Sequence, residues 1–421
     1  MAYTGSPGWD AAIYAKAIHY LRHGVDPYSA GIAEQRAYLH LPVSSRGTHP
    51  PFAYVYSPLT IPFLRLLGFL PHRALLVFWI AVVAAGFLLQ LWGGFQMATR
   101  DERRWLVVVL PVTAFFPALV LDDVILSGNV AFLLYGLVLA SSVAGWQRGR
   151  WRWYYLSVLV ASIVKAPMLT LLAFPVLAGK RQWLPAAGGA FAGLLLIVAQ
   201  ALFWPQMFRQ YLLAVRMVFD VVHDFGYGPG GAIGRILWNW HKPYSAASTA
   251  AYLVSVVMLA VTLLCLARRV RQNDFLRSTW IPVSFLGTIL FYPRLMKYDM
   301  ASITVPMLLI VWRTLREVSR RSSSPRLHGA TDSNAVCEST AAPSSTHPSA
   351  RDRMGISIIL IAAVCFLIPN VMTVCAPPWW PVELVVLLAT FSMGVWLLLR
   401  GTQIHPEIRP ITELPSAPSP I

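Results

Sequence analysis

Charged residues are scarce in this chain. Asp, Glu, Lys and Arg make up 12% of the 421 residues, whereas hydrophobic residues make up 57%. An ordinary soluble domain has roughly 25% charged residues. Apolar runs close to the roughly 20 residues that cross a bilayer recur along the chain, for example at 75–91, 183–204 and 251–266. The composition excludes a soluble protein and predicts an all-α, polytopic transmembrane bundle with about nine to eleven membrane segments.

Acidic residues are scarcer than basic ones, and the formal net charge is +16. Such a charge is compatible with nucleic-acid binding, but the Lys and Arg residues form short clusters between apolar runs. This pattern is typical of membrane topology, in which basic loops face the cytoplasm. We therefore expect contact with membrane lipids and no nucleic-acid partner. The cytoplasmic clusters are Arg100–Arg104, Arg148–Arg152, Lys180–Arg181, Arg268–Arg271 and Arg313–Arg321.

The chain also has little that could bind a metal. Its four cysteines lack the spacing of metal ligands, and we assign them no chemistry. The adjacent acids Asp122 and Asp123 could chelate a cation, although such a pair at a helix end is more often solvated. We predict no obligatory metal and no cofactor.

The chain starts with the short polar stretch 1–7, from which we expect neither a signal peptide nor a first apolar span. Two explanations stay open, a chain that begins on one side without an anchor or a start codon placed too late. From there, each crossing moves the chain to the opposite side of the membrane. Counting from the basic clusters places the stretches 1–73, 205–249 and 293–299 outside, so an extracytoplasmic active site is expected.

The same counting divides the chain into regions. We expect an extracytoplasmic catalytic loop with interfacial helices at 1–73 and a transmembrane core at 74–318. A Ser-, Pro- and Thr-rich stretch at 319–353 predicts a disordered cytoplasmic linker. A two-helix transmembrane hairpin at 354–400 and a disordered tail at 401–421 complete the chain.

One interval does not fit a simple span. Both ends of the stretch 152–180 are basic, yet it is too short for two full crossings. We interpret it as two half-helices that break at Lys165-Ala166-Pro167. The alternative is one tilted span with a misplaced basic cluster. An intramembrane lysine is a functional candidate, and Lys165 could bind a phosphate or hold the break through backbone carbonyls.

The first outer stretch contains two acids of interest. A helical period at Trp9–Arg22 predicts a helix at the membrane interface. Asp10 lies where the loop enters this helix, so its structural role would be to cap the first turn. Asp26 lies in the segment Gly24-Val25-Asp26-Pro27-Tyr28, in which the flanking Gly and Pro favour a turn role.

Short motifs in a fixed order carry a family resemblance. They are Asp10-x-x-x-Tyr14, Gly24-Val25-Asp26-Pro27-Tyr28, Tyr56-Ser57-Pro58-Leu59, Gly128-Asn129 and Lys165-x-Pro167. Over roughly residues 8–312 this pattern resembles glycosyltransferase family 87, membrane enzymes of the GT-C superfamily that use polyprenyl-phosphate sugars. The family normally tethers its catalytic loop between two spans, so the pattern expects one more span before Met1.

The resemblance implies a reaction. In such enzymes an acid of the first outer loop acts as general base on an acceptor hydroxyl, and Asp10 is at the matching position. It implies a hexosyltransferase of mannose-like specificity, with a polyprenyl-phosphate sugar as donor, a lipid or glycan as acceptor, inversion at the anomeric carbon, and a bacterial inner-membrane location. Tyr14, Asp26 and Asn129 would contact substrate.

A polyprenyl phosphate as leaving group calls for cations on the outer face. Arg294 and Lys297 lie between two spans and are candidates together with Lys165. Alternatively, Arg294 and Lys297 reach towards lipid headgroups or pair with Asp299. The family often carries a His in this segment, and this chain has none there.

Two other functions stay open at this point. Broken helices with a lone Lys also occur in transporters and lipid-carrier flippases, although no inverted repeat is visible here. The chain could also be an inactive remnant that lacks its first span. The Gly-rich stretch 225–231 is expected to form a flexible lid, because the strand-to-helix context of a phosphate loop is absent.

Overall fold

A computed structural model describes residues 8–45, 51–113, 127–222, 225–243, 245–273, 276–322, 371–372, 375 and 380–401. Every regular element within these ranges is a helix. The first half contains α1 (Trp9–Arg22), α2 (Pro27–His40), α3 (Ile61–Leu67), α4 (His72–Met97), α5 (Arg100–Thr113), α6 (Ala131–Arg148), α7 (Trp151–Val164) and α8 (Phe174–Leu177). The second half contains α9 (Trp183–Phe203), α10 (Pro205–Met217), α11 (Pro229–Asn239), α12 (Ala246–Arg271), α13 (Arg277–Ile289), α14 (Lys297–Met300), α15 (Thr304–Ser322) and α16 (Val382–Gly401).

Four of these helices are long and apolar enough to cross a membrane. They are α4, α9, α12 and α16, with mean hydropathies between 2.0 and 2.5. Much of their surface is not covered by protein, and large side chains such as Leu184 and Phe203 point outwards, as expected for helices in lipid. These helices confirm the predicted all-α, polytopic membrane protein.

The interval 152–180 forms a hairpin broken at the predicted position. Helix α7 ends at Val164, and a 3-10 helix runs from Ala166 to Ala173. Lys165 leaves helical geometry, with φ of −133° and ψ of 87°, and Pro167 has no N–H to continue the α-helix across this point. The Tyr154 hydroxyl donates to the Leu171 carbonyl at 2.5 Å, which shows that the second half folds back along the first. The alternative of one tilted span is therefore wrong.

The first loop forms a separate layer at one end of the bundle. Helix α1 has the predicted bounds, and its apolar face packs with α2, α3 and α10 through Ile13, Ala17, Ile32, Leu64 and Ala214. The amphipathic helix α10 covers α2, and the rings of Tyr211 and Tyr28 lie 6.0 Å apart. This layer positions the N-terminus of α1 over the helices of the bundle.

Basic residues from distant parts of the chain meet at the opposite end. Arg313 donates to both oxygens of Glu102 at 2.7 Å. Burial opposes the charge of Glu102, but the hydrogen bonds from Arg313 lower its pKa below the ordinary value. Arg271 and Arg277 donate to the carbonyls of Gly179 and Trp146. These contacts bring together basic clusters that we predicted, from the sequence, to lie on the cytoplasmic side of the membrane.

The outer regions of the domain division are only partly described. Helix α15 continues to Ser322, past the expected start of the linker at residue 319. The rest of the predicted linker, most of the stretch predicted to form the first helix of the C-terminal hairpin, and the tail after residue 401 lie outside the described residues. Helix α16 lies where the second helix of that hairpin is predicted, and it packs through Leu387 and Phe391 into the main core.

Glycines allow α4 and α6 to cross closely. A Cβ added to Gly86 would lie 2.8 Å from the Leu133 nitrogen, and one added to Gly136 would lie 2.9 Å from the Gly86 carbonyl oxygen. Both obstacles are backbone atoms, which cannot rotate away. Small residues at such crossings let backbones approach in membrane proteins.

We expect Gly136→Leu to separate these helices and to destabilise the protein by about 1–3 kcal/mol. The measurement is the thermal unfolding midpoint of the purified protein in detergent. Gly188→Leu is the matched control, because a Cβ at Gly188 on α9 meets nothing within 4 Å. Equal midpoints for the two variants would contradict the role of the crossing.

Candidate active site

Asp10 lies in the first turn of α1 and is buried, with 3% of its surface exposed. The positive end of the helix dipole favours a carboxylate there. The side chain of Asn129, 119 residues away in sequence, donates a hydrogen bond from Nδ2 to Asp10 Oδ2 at 2.7 Å. Asp10 therefore accepts a hydrogen bond from a distant part of the chain, and a role in capping its own helix does not explain this contact.

Asn129 is held in one orientation by its own contacts. Its Oδ1 accepts from the Ala131 N–H at 2.8 Å, so its Nδ2 must face Asp10 and the Tyr56 hydroxyl, which is 3.0 Å away. Gly128 has φ of 68°, and a Cβ there would lie 3.0 Å from the Ala11 Cβ. Glycine thus lets this turn approach α1 next to Asp10. The Gly128-Asn129 motif and the Asp10 motif meet at this point.

Two tyrosines complete the surroundings of Asp10. The rings of Tyr14 and Tyr56 stack with centroids 4.8 Å apart, and Trp79 packs edge-on against Tyr14 at 5.1 Å. Burial, followed by the negative charge of Asp10, raises the pKa of Tyr56 well above its ordinary range. Burial also raises the pKa of Tyr14. Both hydroxyls therefore remain protonated at neutral pH and can act as hydrogen-bond donors.

A second polar cluster lies at the helix break. Lys165 Nζ donates to both oxygens of Asp299, at 2.7 and 2.9 Å. The rings of Tyr135, Tyr292 and Tyr298 surround the ammonium, with centroid distances of 5.9, 5.3 and 4.5 Å. The carboxylate and the rings stabilise the Lys165 ammonium in the interior of the bundle, where an isolated charge is costly.

The two clusters are close to each other. Asp10 is near enough to Lys165 and to Tyr298 for direct electrostatic interaction. Tyr298 interacts in the same way with both Asp10 and Asp299. A carboxylate, a cation and a set of neutral tyrosines are thus assembled around one place, on the loop-layer side of the bundle.

Arg294 joins this group. It is half-buried in the turn before α14, where its guanidinium lies 5.7 Å from the centre of the Phe219 ring, and it interacts electrostatically with Lys165 and Asp299. Lys297 is the first residue of α14, and its side chain is not among those that the structure describes. Of the predicted site residues, Tyr14, Asn129 and Lys165 therefore interact with Asp10, and Arg294 interacts with Lys165.

Asp26 makes its hydrogen bonds to its own helix. Its carboxylate caps α2 by accepting from the N–H groups of Tyr28 and Ser29 at 3.3 and 3.0 Å. This agrees with the turn role that its Gly and Pro neighbours favoured, and substrate contact by Asp26 stays a prediction. Asp122 and Asp123 lie outside the described residues.

The Gly-rich stretch is anchored against the turn that carries Arg294. The Tyr227 N–H donates to the Leu295 carbonyl at 2.6 Å. Arg235 donates to the Gly226 carbonyl at 2.9 Å and lies over the Tyr227 ring. The stretch therefore supports the site in this conformation, and its opening as a lid stays a prediction.

Sequence reasoning had not assigned Tyr56 or Asp299 to the site. Tyr56 was visible only as the start of a motif, and Asp299 only as a neighbour of Arg294 and Lys297. An acid within an apolar stretch is a signal for a paired cation. This rule could have identified Asp299 as a candidate site residue, but it does not predict that its partner is Lys165.

Comparison with known protein families identifies the class of this protein. The family model of glycosyltransferase family 87 matches residues 54–293, more than half of the chain. The chain belongs to this family and is a membrane glycosyltransferase. The match includes Tyr56, Asn129 and Lys165, whereas Asp10 precedes it and Arg294 follows it directly. No curated protein and no solved structure gave a significant match.

We expect Asn129→Ala to lower the rate of sugar transfer about 10- to 100-fold, the effect of losing one hydrogen bond to a buried charged group. The measurement is initial-rate transfer by the purified enzyme. Asn239→Ala, at an exposed asparagine that ends α11, is the control and should leave the rate unchanged. Full activity of Asn129→Ala would show that the Asp10–Asn129 contact is not needed for transfer.

Proposed function

We propose that this enzyme transfers a hexose, mannose-like, from a polyprenyl-phosphate sugar to a lipid or glycan acceptor, with inversion, on the extracytoplasmic face of a bacterial inner membrane. Asp10 is the general base. The observation that carries the proposal is the buried carboxylate of Asp10, fixed by Asn129 beside protonated tyrosines and a lysine at a helix break. Family membership supports the glycosyl transfer itself.

The reaction needs one displacement. Asp10 accepts the proton of the acceptor hydroxyl while the hydroxyl oxygen attacks the anomeric carbon of the donor. The bond between that carbon and the phosphate oxygen breaks, and its electron pair leaves with the polyprenyl phosphate. A single attack from the opposite face inverts the anomeric centre, as with a base-activated water in inverting glycosidases.

Cations near Asp10 fit the developing charge on the leaving phosphate. Lys165 and Arg294 interact with each other electrostatically, and Lys297 is on the same turn as Arg294. Charge-assisted hydrogen bonds to phosphate are stronger than neutral ones, and they are strongest where water is excluded. We assign these three residues to the donor phosphate, and Tyr14 and Asn129 to the acceptor side.

The transporter or flippase is the weaker hypothesis. Its main support was a broken helix with a lone lysine, and Lys165 is paired with Asp299. The match to a transferase family over 54–293, which includes the break, favours the enzyme.

Asp10→Asn tests the general base. The amide cannot accept the acceptor proton, and we expect transfer to fall by at least about 10²-fold, the lower range of general-base catalysis. The assay measures transfer from a panel of polyprenyl-phosphate sugars by purified protein in detergent or vesicles. The panel also identifies the sugar.

The control for this variant is Asp220→Asn. Asp220 is exposed and pairs on the surface with Arg216, four residues away, so its charge should matter little. Both variants should insert into the membrane and elute as wild type in size-exclusion chromatography. An Asp10→Asn enzyme with wild-type turnover would refute the proposed role of Asp10.

Sidedness can be tested by labelling intact cells with an impermeant maleimide. In a background where Cys265, Cys337, Cys365 and Cys375 are replaced by Ser, we expect Ser44→Cys to react from outside. Ser44 is exposed in the loop layer. Arg148→Cys, exposed at the other end of α6, should react only after lysis. The reverse pattern would place the site in the cytoplasm.

A further inference from the structure

The ion pair between Lys165 and Asp299 is asymmetric. The carboxylate of Asp299 is completely buried, whereas 13% of the Lys165 side chain remains exposed. Within this pair, Lys165 is therefore the partner that keeps some access to the site, and the carboxylate of Asp299 has none. An ammonium carries three N–H donors, and Asp299 takes two of them in this structure.

Asp299 also organises its own end of the chain. Its Oδ2 accepts from the Met296 N–H at 2.9 Å, which fixes the turn that begins α14. Arg294 lies in this turn, two residues before that N–H. One carboxylate thus joins the lysine of the broken hairpin to the turn that carries the other proposed phosphate ligands.

A second buried ion pair, between Arg313 and Glu102 at the opposite end of the bundle, provides a comparison for the pair of Lys165 and Asp299. Arg313 donates to Glu102 and also to the carbonyls of Ser278 and Met97. Its guanidinium therefore uses four of its five N–H donors and is oriented by three separate groups. The hydrogen bonds of the Lys165 ammonium within the described residues go to Asp299, and aromatic faces cover other directions. The two pairs are similar in distance and burial. The orientation of Arg313 depends on two backbone carbonyls as well as on Glu102, whereas the hydrogen bonds that orient Lys165 go to Asp299.

We propose that Asp299 is a positioning residue for the donor: it holds the Lys165 ammonium towards the site and fixes the turn of Arg294, so that both meet the phosphate of the polyprenyl-phosphate sugar. This inference rests on the proposed function. Asp299 itself does not touch the substrate. Removing its charge leaves Lys165 free to change rotamer and loosens the turn. We therefore expect the affinity for the donor to fall more than kcat does.

The test compares Asp299→Asn, Lys165→Met and the double variant Lys165→Met/Asp299→Asn. Removing one partner of a buried pair leaves an uncompensated charge and destabilises the fold, whereas removing both relieves this penalty. The probe is a polyprenyl monophosphate without sugar, which cannot be turned over, so its equilibrium binding to each variant can be measured directly. KM for the donor and kcat are measured with Asp10 intact.

We expect Asp299→Asn to raise the donor KM and to weaken polyprenyl-phosphate binding by about tenfold or more, with a smaller change in kcat. The double variant should recover the unfolding midpoint but not the donor affinity. Glu102→Gln is the matched control, because it breaks the other buried pair. It should lower the unfolding midpoint and leave the donor KM unchanged.

The outcomes separate this inference from the proposed function. If the wild type binds the probe and Asp299→Asn or the double variant binds it equally well, Asp299 has no positioning role, while the donor assignment stands. If Glu102→Gln raises the donor KM as much as Asp299→Asn does, the effect is one of general stability and the inference is wrong. If the wild type neither binds the probe nor uses polyprenyl-phosphate sugars, the proposed function fails and this inference fails with it.

Discussion

The structure depends on one constraint, which is that charges and broken backbone are tolerated inside a membrane protein only where other groups satisfy them. The hairpin of α7 and the following 3-10 helix breaks at Lys165, and the ammonium at that break is neutralised by Asp299 and surrounded by three tyrosine rings. This pair fixes the hairpin against the turn before α14. The loop layer then closes over the same place and brings Asp10 near it.

Features encoded by neighbouring residues could be predicted from the sequence. The bounds of α1 follow from a helical period, and the break after Val164 follows from the missing N–H of Pro167, which cannot continue the α-helix. The four long helices follow from their apolar length. In each case the physical cause lies within one helix or one turn, so no knowledge of the fold is needed.

The partners across the fold could not be predicted in the same way. Asp10 and Asn129 are 119 residues apart, and Lys165 and Asp299 are 134 residues apart. The sequence offered Arg294 and Lys297 as partners for Asp299, because both are its close neighbours. Among the described side chains, Lys165 donates hydrogen bonds to both oxygens of Asp299, whose carboxylate is completely buried. Charge type alone does not contain that information.

The pairing has a consequence for how a phosphate would be bound. Lys165 and Asp299 together carry no net charge, so this pair alone cannot balance the charge of a donor phosphate that approaches it. In the proposed function, the remaining positive charge would come from Arg294 and Lys297, which lie close in sequence to the Met296 N–H that Asp299 binds. The neutral tyrosines add hydrogen-bond donors without further charge, and the raised pKa of Tyr56 keeps its proton in place beside Asp10. In the proposed reaction, the base Asp10 and the cations for the donor phosphate lie close together, and the completely buried carboxylate of Asp299 holds the Lys165 ammonium beside them.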